Sequence, residues 1–184
     1  MVRDKILISE FFKDKNIGAV ASASDHVVRK MLNKVDFAKA DVLVEFGPGK
    51  GVITKQILAK MNKNAVLYVF ETNEQLTQGL NKINDSRLSI FNEDAEKAMT
   101  VLKEKCNTKS VDYIISSIPF TFIDIKKRKR IIFNAHALLR ENGKFITYQY
   151  SWLIYNILNE QFSKSSVKFG LLNIPPTFIL IGLK

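Results

Sequence analysis

Apolar residues along this chain alternate between two spacings, and each spacing predicts an element. Short, dense runs occur at Val42–Phe46, Ala65–Phe70, Arg87–Phe91, Val111–Ser116 and Lys144–Tyr148, as expected of strands covered on both faces. Between them, Val52–Met61, Asn73–Ile83, Glu96–Lys105, Ile125–Arg140 and Leu153–Phe162 space their apolar side chains at helical intervals. Ser166–Leu172 and Thr177–Leu183 predict two further strands, joined through Asn173-Ile174-Pro175-Pro176 as a closing antiparallel hairpin. Strand and helix in alternation predict an α/β fold with a mostly parallel sheet and helices on both faces. Ahead of the first strand, Arg3–Lys15 places Leu7, Ile8, Phe11 and Phe12 on one face of an amphipathic helix. A small-residue loop follows, then a helix from Asp25 to Asn33 with Ser24 as its N-cap.

Composition narrows the setting. At 184 residues with 46% hydrophobic content, the chain reads as a single domain, 1–184, with residues 1–36 as a helical lid. Cys106 is the single cysteine, which excludes an internal disulfide and fits a reducing compartment. No apolar run approaches the ~20 residues of a membrane span, and residues 1–15 lack a signal-peptide core. The expected location is the cytoplasm or the inner face of a membrane. A net charge of +10 draws the chain to polyanions, either an anionic lipid surface or nucleic acid. No repeat, linker, metal-ligand cluster or obligate protein partner is evident.

The chemistry concentrates where the first strand ends. Val42-Leu43-Val44-Glu45-Phe46 runs into Gly47-Pro48-Gly49-Lys50-Gly51, a turn that opens a helix with unpaired N–H groups. The glycines are spaced G-x-G-x-G, and the third glycine of the G-x-G-x-x-G dinucleotide pattern is missing. Glu45, two residues before the first glycine, disfavours a pyrophosphate and favours a cofactor with an ammonium group. Glu71 ends the second strand at about the 20-residue spacing of an acid that takes ribose hydroxyls.

Glu45-Phe46-Gly47-Pro48-Gly49-Lys50-Gly51 resembles motif I of the class I S-adenosylmethionine (SAM)-dependent methyltransferases. That resemblance implies a Rossmann-like, seven-stranded domain and SAM as cofactor. It assigns cofactor contacts to Glu45, Phe46, Gly47, Gly49, Gly51, Glu71, Thr72 and Ser116, with Asp94 and the Ala95 backbone reading adenine. Glu93 competes with Asp94 for that role, and Asp94 also suits a helix N-cap.

The acceptor side is carried by Ile114-Ile115-Ser116-Ser117-Ile118-Pro119-Phe120. Nucleic-acid amino methyltransferases carry Asn or Asp where this chain has Ser117, and a hydroxyl lacks the geometry of the amide. The segment is instead similar to Ile-Ile-Ser-Gly-Leu-Pro-Phe of the bacterial phospholipid N-methyltransferases. Gly18-Ala19-Val20-Ala21 and the ending Asn173-Ile174-Pro175-Pro176-Thr177-Phe178 resemble the same family. Ser22, Ser117 and Gln149 depart from its pattern, while Tyr150 matches its tyrosine. The expected acceptor is therefore an aminophospholipid amine such as phosphatidylethanolamine, with Tyr150, Ser117 and Pro119 as catalytic residues. Methylation of rRNA adenine or of a soluble small molecule, and a non-catalytic adaptor, are the alternatives. This reading expects no RNA-binding domain after Lys184, which is set against the RNA alternative. Lys126-Lys127-Arg128-Lys129-Arg130 reads as a solvated face or as a phosphate grip through Arg128 or Arg130.

Overall fold

The computed structural model describes residues 25–170 and 176–184. Its elements are α1 (Asp25–Leu32), β1 (Val42–Phe46), α2 (Val52–Lys60), β2 (Val66–Phe70), α3 (Glu74–Leu80), β3 (Leu88–Phe91), α4 (Ala98–Cys106), β4 (Val111–Ser116), α5 (Ile125–Leu138), β5 (Leu139–Gln149), α6 (Tyr155–Gln161), β6 (Lys164–Gly170) and β7 (Thr177–Leu183). Short 3-10 turns occupy Ala95–Lys97 and Phe120–Phe122. The expected helix over residues 3–15, the loop and cap that follow it, and the turn at residues 173–175 lie outside the described residues.

The seven strands form one sheet in the order β3-β2-β1-β4-β5-β7-β6. β1 to β5 run parallel, and β7 inserts antiparallel between β5 and β6. The fold is α/β and Rossmann-like, with the antiparallel C-terminal hairpin. Strand order reverses between β1 and β4, which places a ligand crevice beyond their carboxyl ends.

Strand periodicity divides the core. Val44 and Phe46 of β1, Ile114 of β4 and Phe145 of β5 pack with α4, α5 and α6 on one face. Leu43, Tyr113, Ile115 and Ile146 point the other way, against α1, α2 and α3. Burying each of the larger side chains contributes about 1.5–3 kcal/mol. Asp112 ties the strand starts together. Its Oδ2 accepts from the N–H groups of Asp41 and Val42 at 2.9 and 2.8 Å, and Oδ1 pairs with Arg140. Burial pushes its carboxyl up, but these donors outweigh it and leave the pKa below the usual value.

Several boundaries differ from expectation. The helix expected to reach Arg140 stops at Leu138, because Leu139 already pairs with Val111. β5 then takes up extra residues before Lys144 meets Tyr113, with Asn142 at φ 62. Gly143 is a buried position in β5, where a Cβ would meet the Arg140 carbonyl oxygen at 2.8 Å. The helix expected from Glu96 begins as the 3-10 turn capped by Asp94, and the final hairpin's first strand lies at Lys164–Gly170.

Candidate active site at the carboxyl edge

The β1–α2 turn is shaped by its glycines. Gly47, Gly49 and Gly51 have φ of 67, 58 and 79°, and the Gly51 N–H closes the turn onto the Pro48 carbonyl at 2.9 Å. A Cβ on Gly51 would sit 2.8 Å from Leu80 Cδ2, so that glycine serves packing. A Cβ on Gly49 would meet nothing within 4 Å. Gly49 is thus the open side of the turn, where a ligand approaches the main chain.

Two carboxylates lie behind and beside this turn. Glu45 is fully buried; its Oε2 accepts from Thr54 Oγ1 at 2.6 Å, while Oε1 has no partner. Burial pushes its pKa up to about 8; the Thr54 hydrogen bond opposes the shift and Glu71 adds to it. An unpartnered buried carboxylate oxygen is costly and is relieved by a cation. Glu71 is 8% exposed, and its two oxygens accept from the Gly49 N–H at 3.2 Å and the Asn73 N–H at 2.9 Å. Each oxygen keeps a lone pair for a ligand hydroxyl. Asn92, which sequence reasoning missed, donates to the Glu71 carbonyl at 2.9 Å and to Thr77 Oγ1 at 3.2 Å.

Beyond the turn opens a cleft of about 300 Å³ lined by Gly47, Phe70, Glu71, Thr72, Glu93, Asp94, Ala95, Ser117, Ile118, Pro119, Ile123, Lys127 and Ile131. Phe70 lies between Phe46, edge-on at 5.9 Å, and Phe91, stacked at 5.1 Å. Asp94 lines the cleft and also caps the 3-10 turn by accepting from the Glu96 N–H at 2.9 Å. Its other oxygen pairs with Lys127. Burial raises the Asp94 pKa, but Lys127 and the Glu96 N–H prevail and hold it below the usual value. Of the expected cofactor residues, Gly47, Glu71, Thr72, Asp94 and Ala95 line the cleft. Glu45, Phe46, Gly49, Gly51 and Ser116 support it from behind or beside.

The side expected to take the acceptor begins at the end of β4. Ser116 is buried and its Oγ accepts from the Ile118 N–H at 3.3 Å. Ser117 and Pro119 line the cleft, and the buried Ser117 hydroxyl has no well-aligned hydrogen-bond partner. Tyr148 faces it. Burial, followed by Tyr150, pushes the Tyr148 pKa up to about 12, against a smaller downward pull from Ser117. Tyr150 is half-buried outside the cleft lining, its ring edge-on to Tyr148 at 6.3 Å, and burial raises its pKa as well. Gln149 is 4% exposed and fully engaged. Its amide donates to the Ile118 carbonyl at 2.8 Å and to Thr147 Oγ1 at 2.9 Å, and its oxygen accepts from the Phe120 N–H at 3.1 Å. It braces the loop from Ile118 to Phe120, a role no local sequence signal discloses.

The basic run does not form a phosphate grip. Arg128 is buried and donates to the Ile123 carbonyl at 2.9 Å, because its helical position faces the core. Arg130 pairs with Glu96, Lys127 with Asp94, and Lys129 approaches Glu160 at 3.9 Å. Asp124 caps the helix, accepting from the Lys126 N–H at 2.9 Å, which offsets the run's conflict with the helix dipole. Among the described residues, no group of three or more His, Cys, Asp or Glu could hold a metal ion.

The reversed sheet, the left-handed glycine turn and the acid at the end of β2 define a class I SAM-dependent methyltransferase, whose cofactor is S-adenosyl-L-methionine. A solved N-methyltransferase, NodS from Bradyrhizobium japonicum WM9 in complex with S-adenosyl-L-homocysteine, has the same fold. It superposes with a TM-score of 0.65 at 13% identity, over 85% of this chain and 83% of that one. The chain belongs to the ribosomal RNA adenine dimethylase family, whose model matches residues 21–136. A probable ribosomal RNA small subunit methyltransferase A of Methanococcus maripaludis is 31% identical over 158 residues. That match covers 83% of this chain and 55% of the relative, so the chain spans about half the relative's length. An ornithine lipid N-methyltransferase of Singulisphaera acidiphila is 22% identical over 176 residues, covering 93% of this chain and 91% of the relative.

Proposed function

We propose that this enzyme methylates the amine of an aminolipid headgroup, with phosphatidylethanolamine as the representative acceptor. One observation carries the reading: at the end of β4 the acceptor loop offers a hydroxyl, Ser117, between Ser116 and the apolar Ile118-Pro119. The nearby amide, Gln149, has both its oxygen and its nitrogen committed to protein partners. Nucleic-acid amino methyltransferases carry an amide or carboxylate at that point to take the adenine amine, whereas a hydroxyl suffices to accept one hydrogen bond from an aliphatic amine against a dry wall. The match to the lipid-methylating relative along most of both chains supports the same reading.

The residues present fit SAM. The unpartnered Glu45 oxygen favours a cation near the turn, Gly49 leaves room for it, and Glu71 keeps lone pairs for ribose hydroxyls. Asp94, Ala95 and Thr72 border the part of the cleft assigned to adenine, and Phe70 supplies an apolar ring. Bound there, SAM supplies a methyl group on a positively charged sulfur. The chain's own work is to orient and to dry. Ile118, Pro119 and Ile123 exclude water from the acceptor amine, which lowers the pKa of its ammonium form and keeps the lone pair available. Ser117 takes one hydrogen bond from that amine, Tyr148 stands behind Ser117 as a neutral polar wall, and Tyr150 packs edge-on against Tyr148. Alignment of this kind accounts for most of the acceleration in a displacement without a covalent enzyme intermediate.

The family's description and the M. maripaludis relative favour a second reading, methylation of adenine in rRNA. Thin-layer analysis of lipids from cells expressing the chain, with and without Gly49→Arg, tests the first. New mono- or dimethylated aminolipid dependent on Gly49 is expected. An unchanged lipid profile together with newly methylated rRNA adenine would establish the second.

A further inference from the structure

Four of the large exposed apolar side chains among the described residues form a rim at the carboxyl edge of the sheet, on two loops of which the first lines the cleft. Phe122 and Ile125 follow β4, and Trp152 and Leu153 follow β5; they are 46, 48, 69 and 45% exposed. The two loops are tied by a hydrogen bond between Thr121 Oγ1 and Ser151 Oγ at 3.2 Å. Both are anchored below, since Phe120 and Ile154 are buried in the same core. The rim is therefore presented by fixed backbone. It also borders the cleft, whose lining includes Pro119, Ile123 and Lys127 from the same stretch.

We propose that this rim is the face by which the enzyme docks on an anionic lipid bilayer, with Phe122, Ile125, Trp152 and Leu153 entering the headgroup boundary. The proposal rests on the aminolipid reading. An apolar ridge beside exposed cations is the chemistry a membrane surface takes up. Lys126 stands exposed next to Ile125 and forms no ion pair among the described residues, and the chain as a whole carries +10. Trp152 suits an interface, with a large apolar body and one N–H. Docking here sets the cleft mouth at headgroup depth, so an aminolipid reaches Ser117 without leaving the bilayer.

Trp152 is the single tryptophan of the chain, so its fluorescence reports on the rim directly. Vesicles of phosphatidylglycerol should shift the emission of the 184-residue chain to the blue and co-sediment it, less so in high salt. Trp152→Ser with Leu153→Ser should lower vesicle affinity about tenfold or more, read by co-sedimentation. Calorimetric SAM binding should be unchanged in that variant, which shows that it is folded. Unmoved Trp152 emission on vesicles, while aminolipid in detergent micelles is still methylated, would overturn the docking face and leave the aminolipid reading standing. Vesicle binding with the emission shift but no transfer to aminolipid in vesicles or micelles would support the docking face and defeat the aminolipid reading. A shift with rRNA and none with vesicles would overturn the docking face in favour of base stacking on Trp152.

Discussion

The two halves of the carboxyl edge are built on opposite plans. The proposed donor half, at the ends of β1 and β2, is main chain and enclosed carboxyl groups: left-handed glycines, a buried Glu45, and a Glu71 fixed by two backbone N–H groups. On the acceptor half, at the ends of β4 and β5, side chains do the bracing, through Gln149 and the Thr121–Ser151 link, beneath an apolar rim. The contrast has a chemical reason. A cofactor common to many enzymes needs a site specified by backbone geometry, whereas the acceptor differs from enzyme to enzyme and is read by replaceable side chains.

If the halves are separable, each should fail alone. The largest effect is expected for Gly49→Arg, which fills the open side of the turn with a long cation next to the ligand site. Turnover should fall more than about 100-fold through lost SAM binding, with the thermal midpoint lowered only slightly, measured by calorimetry and thermal denaturation. Next is Gln149→Leu, which removes the brace and leaves the Phe120 N–H and Ile118 carbonyl without that partner. A kcat loss of about 10–100-fold with unchanged SAM affinity is expected, together with about 1–3 kcal/mol of stability. Equal loss of SAM binding in that variant would break the comparison. Glu71→Gln should weaken SAM about 10-fold, by exchanging a charged acceptor for a neutral one, and leave the response to acceptor concentration unchanged.

The smallest effect concerns pH. The folded pKa of Glu45, raised to about 8 mainly by burial, lies well above the ordinary carboxyl value of 4.5. Between these values the folded state keeps a proton that the unfolded chain releases, so stability falls as pH rises through the window. Glu45→Gln, always neutral, should flatten that fall, measured by denaturant unfolding from pH 5 to 8.5. Binding of cationic SAM should draw the proton off, so titrations near pH 7 in buffers of different ionisation enthalpy should register proton release. The variant should register less.

Much of the donor half was legible in the chain, because its determinants are local. Glycine spacing, the preceding acid and the acid two elements later are read from neighbouring residues, and β1, β4 and β7 fall where the apolar runs put them. The acceptor half was harder because its determinants are partners. Gln149 looked like a departure from a family pattern until its amide was seen holding a loop that lies about 30 residues back. Arg128 looked like a phosphate ligand until helix phase turned it into the core, and Arg130 until it was seen paired with Glu96. The start of β5 was misplaced because only pairing with Val111 makes Leu139 a strand residue.

The most direct test of the central claim is a single competition. Purified enzyme receives methyl-labelled SAM with anionic vesicles containing phosphatidylethanolamine and protein-free small-subunit rRNA in the same tube. The account predicts label in the lipid fraction and a background level in RNA; label in adenine with unlabelled lipid would contradict it.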